Sequence, residues 1–169
     1  MKYSKLSNKS FTATMKHLLL MAFAILTIGC GEKKSEGVNL NELELREGVA
    51  YLKNSDSPYT GKVFEFHDNG QKKSETTLKD GKYDGLSAGW YKNGQKQAVG
   101  YYKDGKFDGP AVTWYENGQK EGEVNYKDGK PHGDARGWHE NGQKAFESKW
   151  KNGKETSRTD FKDGTRVSE

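Results

Sequence analysis

The sequence predicts an all-β fold, a single-layer antiparallel meander of repeated β-hairpins, and two recurring motifs support that prediction. The tetrad Asn-Gly-Gln-Lys begins at Asn69, Asn93, Asn117 and Asn141, at a constant spacing of 24 residues. The motif Lys-Asp-Gly-Lys recurs with the same period from Lys79 onward. Asn-Gly and Asp-Gly between short runs rich in aromatic and β-branched residues are a strong hairpin signal, because these pairs adopt positive φ at low cost. Each repeat is therefore expected to contain two strands.

The composition argues against a thick hydrophobic interior. Only 31% of the residues are hydrophobic, whereas 12% are aromatic and 21 residues are glycine. Typical soluble domains are about 45–50% apolar, so a core between two layers is not expected. The aromatic content is too high for a disordered polar chain. The composition therefore indicates a thin sheet interrupted by tight turns.

The N-terminal region has the pattern of an export signal. A basic stretch precedes an apolar run from Leu18 to Ile28, which is too short to span a bilayer and is typical of the central part of a signal peptide. The Gly29-Cys30 pair that follows resembles the end of a bacterial lipoprotein signal, in which the cysteine becomes lipidated. We therefore predict a signal peptide over 1–29, lipidation of Cys30, and a location in the cell envelope on a bacterial membrane.

The remainder of the chain divides according to composition and repeat. Residues 30–39 are polar and are expected to form a tether, and residues 40–60 an N-terminal capping hairpin. The 24-residue repeats occupy 61–164, and 165–169 form a C-terminal tail. Terminal units of repeat arrays are commonly atypical, because one of their edges meets water.

The alternation of side chains predicts which residues share a face of the sheet. A three-residue loop that ends at Gly118, with this glycine in the left-handed region, pairs Trp114 with Lys120. Two positions further along, the same register pairs Val112 with Gly122. Applied to every copy, it places the rings together on one face. The candidate binding face consists of Phe66, Trp90, Trp114, Trp138, Tyr102, Tyr126 and Trp150.

The second turn of each repeat is expected to be wider than the first. Two glycines lie close together in this segment, which runs from Lys103 to Gly109 in one copy. Glycine favours turns because it adopts positive φ without steric cost. A longer connection between the two hairpins is therefore predicted.

The pattern Tyr-x-Gly, then Trp-Tyr-x-Asn-Gly-Gln-Lys, then Tyr-Lys-Asp-Gly-Lys resembles the variant MORN repeat of bacterial proteins called YwqK-like antitoxins. The resemblance extends from Tyr59 to Gly164. It implies a single-layer antiparallel sheet of successive hairpins. It also implies an antitoxin role, which in an exported lipoprotein would take the form of immunity against an incoming toxin.

The distribution of charge argues against a nucleic-acid partner. The formal charge of +4 equals the charge of the four lysines in the leader, so the rest of the chain is formally neutral. Binding to a phosphate backbone needs a basic face, because neutralised phosphates and released counterions supply most of the affinity. We therefore predict no nucleic-acid partner.

The sequence shows no constellation of catalytic or metal-binding residues. The single cysteine lies at the leader junction, which leaves no nucleophilic set. His67 and His139 occupy a column that Tyr91 and Tyr115 fill in other copies, which favours an aromatic role over metal ligation. Turn formation explains the aspartates that precede glycine. We therefore predict that the protein is not an enzyme and has no cofactor and no metal.

Two classes of binding function remain. Exposed rows of Trp, Tyr and Phe are typical of protein-binding hot spots, so the predicted partner is a protein, either a toxin or an envelope protein. Hairpin arrays also stack aromatic rings against sugars or quaternary amines, and binding of a glycan or cell-wall polymer is the alternative. In a third interpretation, the rings only hold a thin sheet together.

Overall fold

The computed structural model describes residues 37–167, which form strands joined by tight turns. These residues contain no α-helix, and Leu40–Glu42 form a single 3-10 turn between β1 and β2. The all-β prediction is therefore confirmed. The strands are β1 Val38–Asn39, β2 Leu43–Arg46, β3 Val49–Leu52, β4 Gly61–Phe66, β5 Lys72–Lys79, β6 Lys82–Trp90, β7 Lys96–Lys103, β8 Lys106–Trp114, β9 Lys120–Lys127, β10 Lys130–Trp138, β11 Lys144–Lys151, β12 Lys154–Lys162 and β13 Thr165–Arg166.

Strands that follow each other in the chain are neighbours in one long sheet. From β4 to β13 every strand pairs antiparallel with the next one. Strand β1 adds to the edge of β4 in parallel, and β2 and β3 form a separate hairpin. The predicted meander of hairpins is thus confirmed, with one parallel strand added at its start. The four full copies of the repeat begin at Tyr59, Tyr83, Phe107 and Pro131.

The Asp-Gly turns are tight, and the prediction of a wider connection is wrong. Lys103 pairs directly with Lys106, which leaves a two-residue turn of Asp104 and Gly105. These two residues have φ of 48° and 80°, as the primed hairpin turn requires. The second glycine, Gly109, does not belong to the turn. It lies within β8, in a bulge at φ 118°.

The bulge glycines set the register between successive hairpins. Gly85, Gly109 and Gly133 all have φ between 90° and 118°. At Gly109, three residues of β8 lie opposite one residue of β7. In the last copy Ser157 takes the glycine's place without a positive φ, and the register between β11 and β12 shifts by one residue instead of two. The loss of this glycine therefore shortens the bulge.

The Asn-Gly turns have the predicted three-residue loop. The Tyr115 amide donates a hydrogen bond to the Gln119 carbonyl over 2.9 Å, and the Gly118 amide donates to the Tyr115 carbonyl over 2.9 Å. Gly118 has φ 84°, and Trp114 pairs with Lys120. Loop length and glycine conformation were therefore both predictable from the local sequence.

An extra residue beyond this loop overturns the predicted register. Val112 pairs with Glu123 instead of Gly122, because Glu121 forms a bulge next to the turn. The same shift occurs at each of the four Asn-Gly hairpins. Since side chains alternate along a strand, one extra residue moves every later side chain to the opposite face. The prediction that all the rings share one face is therefore wrong.

The sheet consequently carries aromatic residues on both faces. We call face A the side that carries Phe66, Trp90, Trp114 and Trp138, and face B the side that carries Tyr102, Tyr126 and Trp150. Residues that pair across neighbouring strands project to the same face. These two names are used below.

The packed core is small and lies on face B at the N-terminal end of the sheet. Ala50, Val63 and Leu78 are 5%, 2% and 4% exposed, and Val38, Leu43 and Tyr59 pack against them. The Ala50 amide donates a hydrogen bond to the Gly81 carbonyl over 2.9 Å, which joins β3 to the first Asp-Gly turn. The hairpin of β2 and β3 thus covers the first strands of the sheet.

Replacement of Gly109 by alanine is expected to destabilise the sheet by about 1–3 kcal/mol, the usual cost of a strained backbone conformation. Its φ is 118°, and an added Cβ would lie 3.2 Å from the Cβ of Tyr101. The free energy of unfolding in urea measures the effect. Ser157→Ala, at the same repeat position but without a positive φ, is the control and should change stability by less than about 0.5 kcal/mol. Equal losses in the two variants would contradict the role assigned to Gly109.

Candidate functional site

The structure separates the predicted binding residues into two groups. Phe66, Trp90, Trp114 and Trp138 lie on face A, whereas Tyr102, Tyr126 and Trp150 lie on face B. Phe66 is 48% exposed and the others are half-buried. Cys30, the predicted lipidation site, lies outside the described residues. No single surface contains all the predicted rings, so the chemistry of the two faces differs.

The rings of face B stack on one another along the Asp-Gly turns. Tyr83, Tyr102, Phe107 and Tyr126 form a continuous series with ring centroids 5.1, 4.2 and 4.9 Å apart. Such distances are typical of attractive aromatic pairs. Because each ring lies against the next, this stack joins neighbouring hairpins. Tyr83 and Phe107 were missed by the sequence analysis, although both lie two positions before a bulge glycine, as Tyr59 does.

The recurring His67, Tyr91 and Tyr115 connect each repeat to the next one. The hydroxyls of Tyr91 and Tyr115 donate hydrogen bonds to the carbonyls of Trp114 and Trp138 over 2.7 and 2.8 Å. His67 Nε2 makes the equivalent contact with the Trp90 carbonyl at 2.8 Å. This column therefore has a structural role between copies. Within residues 37–167 no group of three or more His, Cys, Asp or Glu residues could hold a metal ion.

Ion pairs cover face A near both ends of the sheet. They follow a repeating pattern in which a lysine after the Asn-Gly turn bonds to a glutamate three residues later. The N–O distances are 2.7 Å for Lys72–Glu75, 2.7 Å for Lys120–Glu123 and 3.1 Å for Lys144–Glu147. Glu123 also pairs with Arg136 over 2.7 Å. Hydrogen bonds from Lys120 and then Arg136 lower the pKa of Glu123.

The paired lysines also cover tryptophan rings of the following copy. The ammonium of Lys72 lies 5.5 Å from the ring centroid of Trp90, and that of Lys120 lies 5.3 Å from the ring centroid of Trp138. A cation over an indole ring is an attractive arrangement. The glutamate holds the lysine in place, and the lysine covers the tryptophan.

This pattern is interrupted in the second copy. Val99 stands at the position that is glutamate in the other three copies. Lys96, the counterpart of Lys72 and Lys120, accordingly makes no ion pair within residues 37–167, and no lysine lies over the ring of Trp114 in that part of the chain. Loss of one carboxylate thus leaves an indole uncovered.

Other positions of face A have become apolar beside Val99. Leu86 and Tyr101 pair across β6 and β7, and each is 43% exposed. The corresponding pair in the first copy is polar, Lys62 with Thr77. Position 101 is polar in all three other copies. Several independent positions of the second copy have therefore exchanged a polar for an apolar side chain.

These residues form one surface in the middle of face A, which we call the apolar patch. Ala88, Val99 and Val112 lie directly side by side on β6, β7 and β8, where the flanking strands β5 and β9 carry Glu75 and Glu123. Charged pairs thus border the patch on both sides. The apolar patch consists of Leu86, Ala88, Trp90, Val99, Tyr101, Val112 and Trp114. Its exposed and half-buried apolar side chains make it suited to binding.

Three segments of the chain match the MORN repeat variant, residues 59–80, 107–128 and 131–152. They correspond to the first, third and fourth copies. Residues 83–104, the corresponding part of the second copy, lie outside the matched segments. The chain therefore contains variant MORN repeats, which indicate a repeat-based binding module, and the copy that carries much of the apolar patch departs from the family pattern.

Comparison with whole proteins adds little. The chain is similar to part of the crystal structure of accessory secretory proteins 1, 2 and 3 of Streptococcus pneumoniae, with 13% identity and a TM-score of 0.32. The match covers 69% of this chain and 20% of that chain. No curated protein matches the sequence. No helix within the described residues has the length and apolar character needed to cross a membrane.

Acid is expected to weaken the ion pairs of face A. Because the pKa of Glu123 is lower in the folded state than in the unfolded state, its stabilising effect is complete above the unfolded pKa and is lost as pH falls through the folded pKa. Glu123→Gln should therefore lower the unfolding temperature at neutral pH and lose less stability on acidification. Thermal unfolding followed between about pH 7 and about pH 3 tests this. Glu121→Gln, which removes a carboxylate without a printed ion pair, is the control, and an unchanged pH profile for Glu123→Gln would refute the assignment.

Proposed function

We propose that this protein is a lipid-anchored, non-enzymatic binding protein of the bacterial envelope, and that it recognises a protein partner through the apolar patch. The observation that carries the proposal is the exchange of polar for apolar residues at Val99 and Tyr101, in the second copy alone. The partner class follows from the chemistry of the patch. The envelope location follows from the leader and Cys30.

The apolar patch is not needed to form the sheet. The other three copies carry glutamate at the position of Val99 and Thr, Asn or Lys at the position of Tyr101, and they form the same hairpins. An interpretation in which the rings only hold the sheet together explains the stack on face B. It does not explain why the second copy exposes Leu86 and Tyr101. Binding gives these side chains a reason.

The layout of the patch is that of a protein-binding surface. Protein interfaces have an apolar centre that is rich in Trp and Tyr, surrounded by a polar rim. Trp90, Trp114 and Tyr101 supply the aromatic centre, and the pairs of Glu75 and Glu123 supply the rim. Contiguous exposed apolar surface is uncommon on monomeric proteins and marks interaction sites.

The finer proposal is that the partner is a toxin and that the protein confers immunity against it, with an envelope protein as the other partner considered. A glycan or cell-wall polymer is the alternative ligand. Stacking on a sugar requires a ring face that is open to solvent. On face B the rings of Tyr102 and Phe107 lie against each other, which favours a structural role for that stack over sugar binding.

A single substitution separates recognition from folding. Val99→Glu restores the glutamate of the other copies and should form an ion pair with Lys96, so we expect stability to change by less than about 0.5 kcal/mol. The same change places a charge in the centre of the patch. We expect the Kd for a purified partner, first captured from envelope extract, to rise by roughly 30-fold or more, as at an interface hot spot.

Trp114→Ala and Trp138→Ala form the matched control pair for that experiment. Both residues occupy the same repeat position, but Trp138 lies beneath Lys120 and outside the patch. Circular dichroism checks that each variant is folded. Equal weakening by both variants, or retention of a cell-wall polymer without any protein partner, would reject the proposed surface.

The lipid anchor has a test of its own. Cells that produce the full-length chain are grown with radiolabelled palmitate and then fractionated. The parent protein should carry label and sediment with membranes, because two or more acyl chains give stable anchoring. Cys30→Ser should lose the label and leave the membrane fraction. A label that persists in Cys30→Ser would show that the acyl group is elsewhere.

A further inference from the structure

A cavity of 520 Å³ lies between the N-terminal hairpin and face B of the sheet. Pockets for small molecules typically have volumes of about 300–1,000 Å³ and mostly apolar linings. The cavity lies at the opposite end of face B from Trp150 and on the other face from the apolar patch. Its apolar lining consists of Leu40, Leu43, Leu45, Ala50, Val63 and Leu78.

The side chains of the hairpin leave part of this cavity unfilled. Leu45 pairs with Ala50 in the hairpin, yet Ala50 is 5% exposed and Leu45 is 76% exposed. Leu40 is 47% exposed on the same wall. Burial of a leucine side chain contributes about 1.5–3 kcal/mol, a contribution that Leu45 does not make without a ligand. The leucines at the mouth are thus available to an apolar guest.

Two polar groups accompany the leucines. The Oγ1 atom of Thr76 is buried and has no hydrogen-bond partner within the described residues, and Thr76 lines the cavity. Buried polar groups nearly always have a partner, so such an atom needs an explanation. Lys82 also lines the cavity, is exposed, and makes no ion pair within residues 37–167. The cavity therefore offers a hydroxyl inside and a positive charge on its wall.

We propose that this cavity binds a single aliphatic chain that ends in an anionic group, as a long-chain fatty acid does. The hydrocarbon chain lies against Leu40, Leu43 and Leu45 and removes them from water. The carboxylate pairs with Lys82, the charge that the cavity wall provides. The site uses none of the residues of the apolar patch, so it is independent of the proposed protein partner.

Titration with radiolabelled palmitate tests the proposal. The protein is the full-length chain with Cys30→Ser, so that no acyl chain of its own competes, and equilibrium dialysis measures the bound fraction. We expect saturable binding of one palmitate per chain. Absence of saturable binding would overturn the proposal. Loss of palmitate binding together with retained partner binding would overturn this site alone and leave the proposed function standing.

Charge and apolar contact are tested by separate variants. Lys82→Glu should weaken palmitate binding by roughly tenfold or more, the effect expected for a lost charged hydrogen bond. Lys106→Glu is the matched control, because Lys106 occupies the same turn position one copy later and does not line the cavity. Equal weakening by the two variants would contradict the assigned carboxylate position.

Leu45→Glu should abolish binding while the fold is retained, because Leu45 is largely exposed. Leu40→Glu, on the same wall of the cavity, provides a second variant if Leu45→Glu does not fold. Hexadecanol, which has the same chain without the charge, should bind the parent and Lys82→Glu equally. Undiminished palmitate binding in both leucine variants would show that the chain lies elsewhere.

Discussion

The one extra residue after each Asn-Gly turn is the constraint on which the arrangement of this sheet depends. Because that residue has no partner on the opposite strand, the side chains before and after it project to opposite faces. Trp114 therefore lies with the charged pairs of face A, and Tyr126 lies with the stacked rings of face B. Without the bulge, every ring would compete for one side, and the other side would be polar throughout.

Stability in this sheet is distributed between neighbouring copies instead of being concentrated in a core. Few described apolar side chains are fully buried. Each copy is joined to the next by a tyrosine or histidine bonded to a tryptophan carbonyl and, over much of face B, by stacked rings. In such arrays, contacts between nearest neighbours carry most of the stability. One copy can therefore exchange Glu for Val99 while the adjoining hairpins still form, which frees that surface for recognition.

The sequence was sufficient for features that one turn specifies locally. The period and the loop that ends at Gly118 follow from the conformations that glycine and asparagine favour. The face of each ring did not follow, because the bulge residue Glu121 corresponds to Lys73, Gln97 and Ala145 in other copies and has no positive φ to require a particular residue. The apolar patch was missed for a related reason. Val99 and Tyr101 are informative only once their neighbours on adjacent strands are known.

The serine at position 157 determines where the array ends. With the shorter bulge, β12 is one residue out of step with the earlier copies, and Arg158 stands beside Ser148. The equivalent neighbours in the preceding copies are small, such as Ala135 beside Val124. A strand added beyond β12 would meet a guanidinium where the pattern offers a methyl group. Charged side chains at a sheet edge discourage further pairing, so this substitution limits growth of the sheet by stacking of one molecule on another.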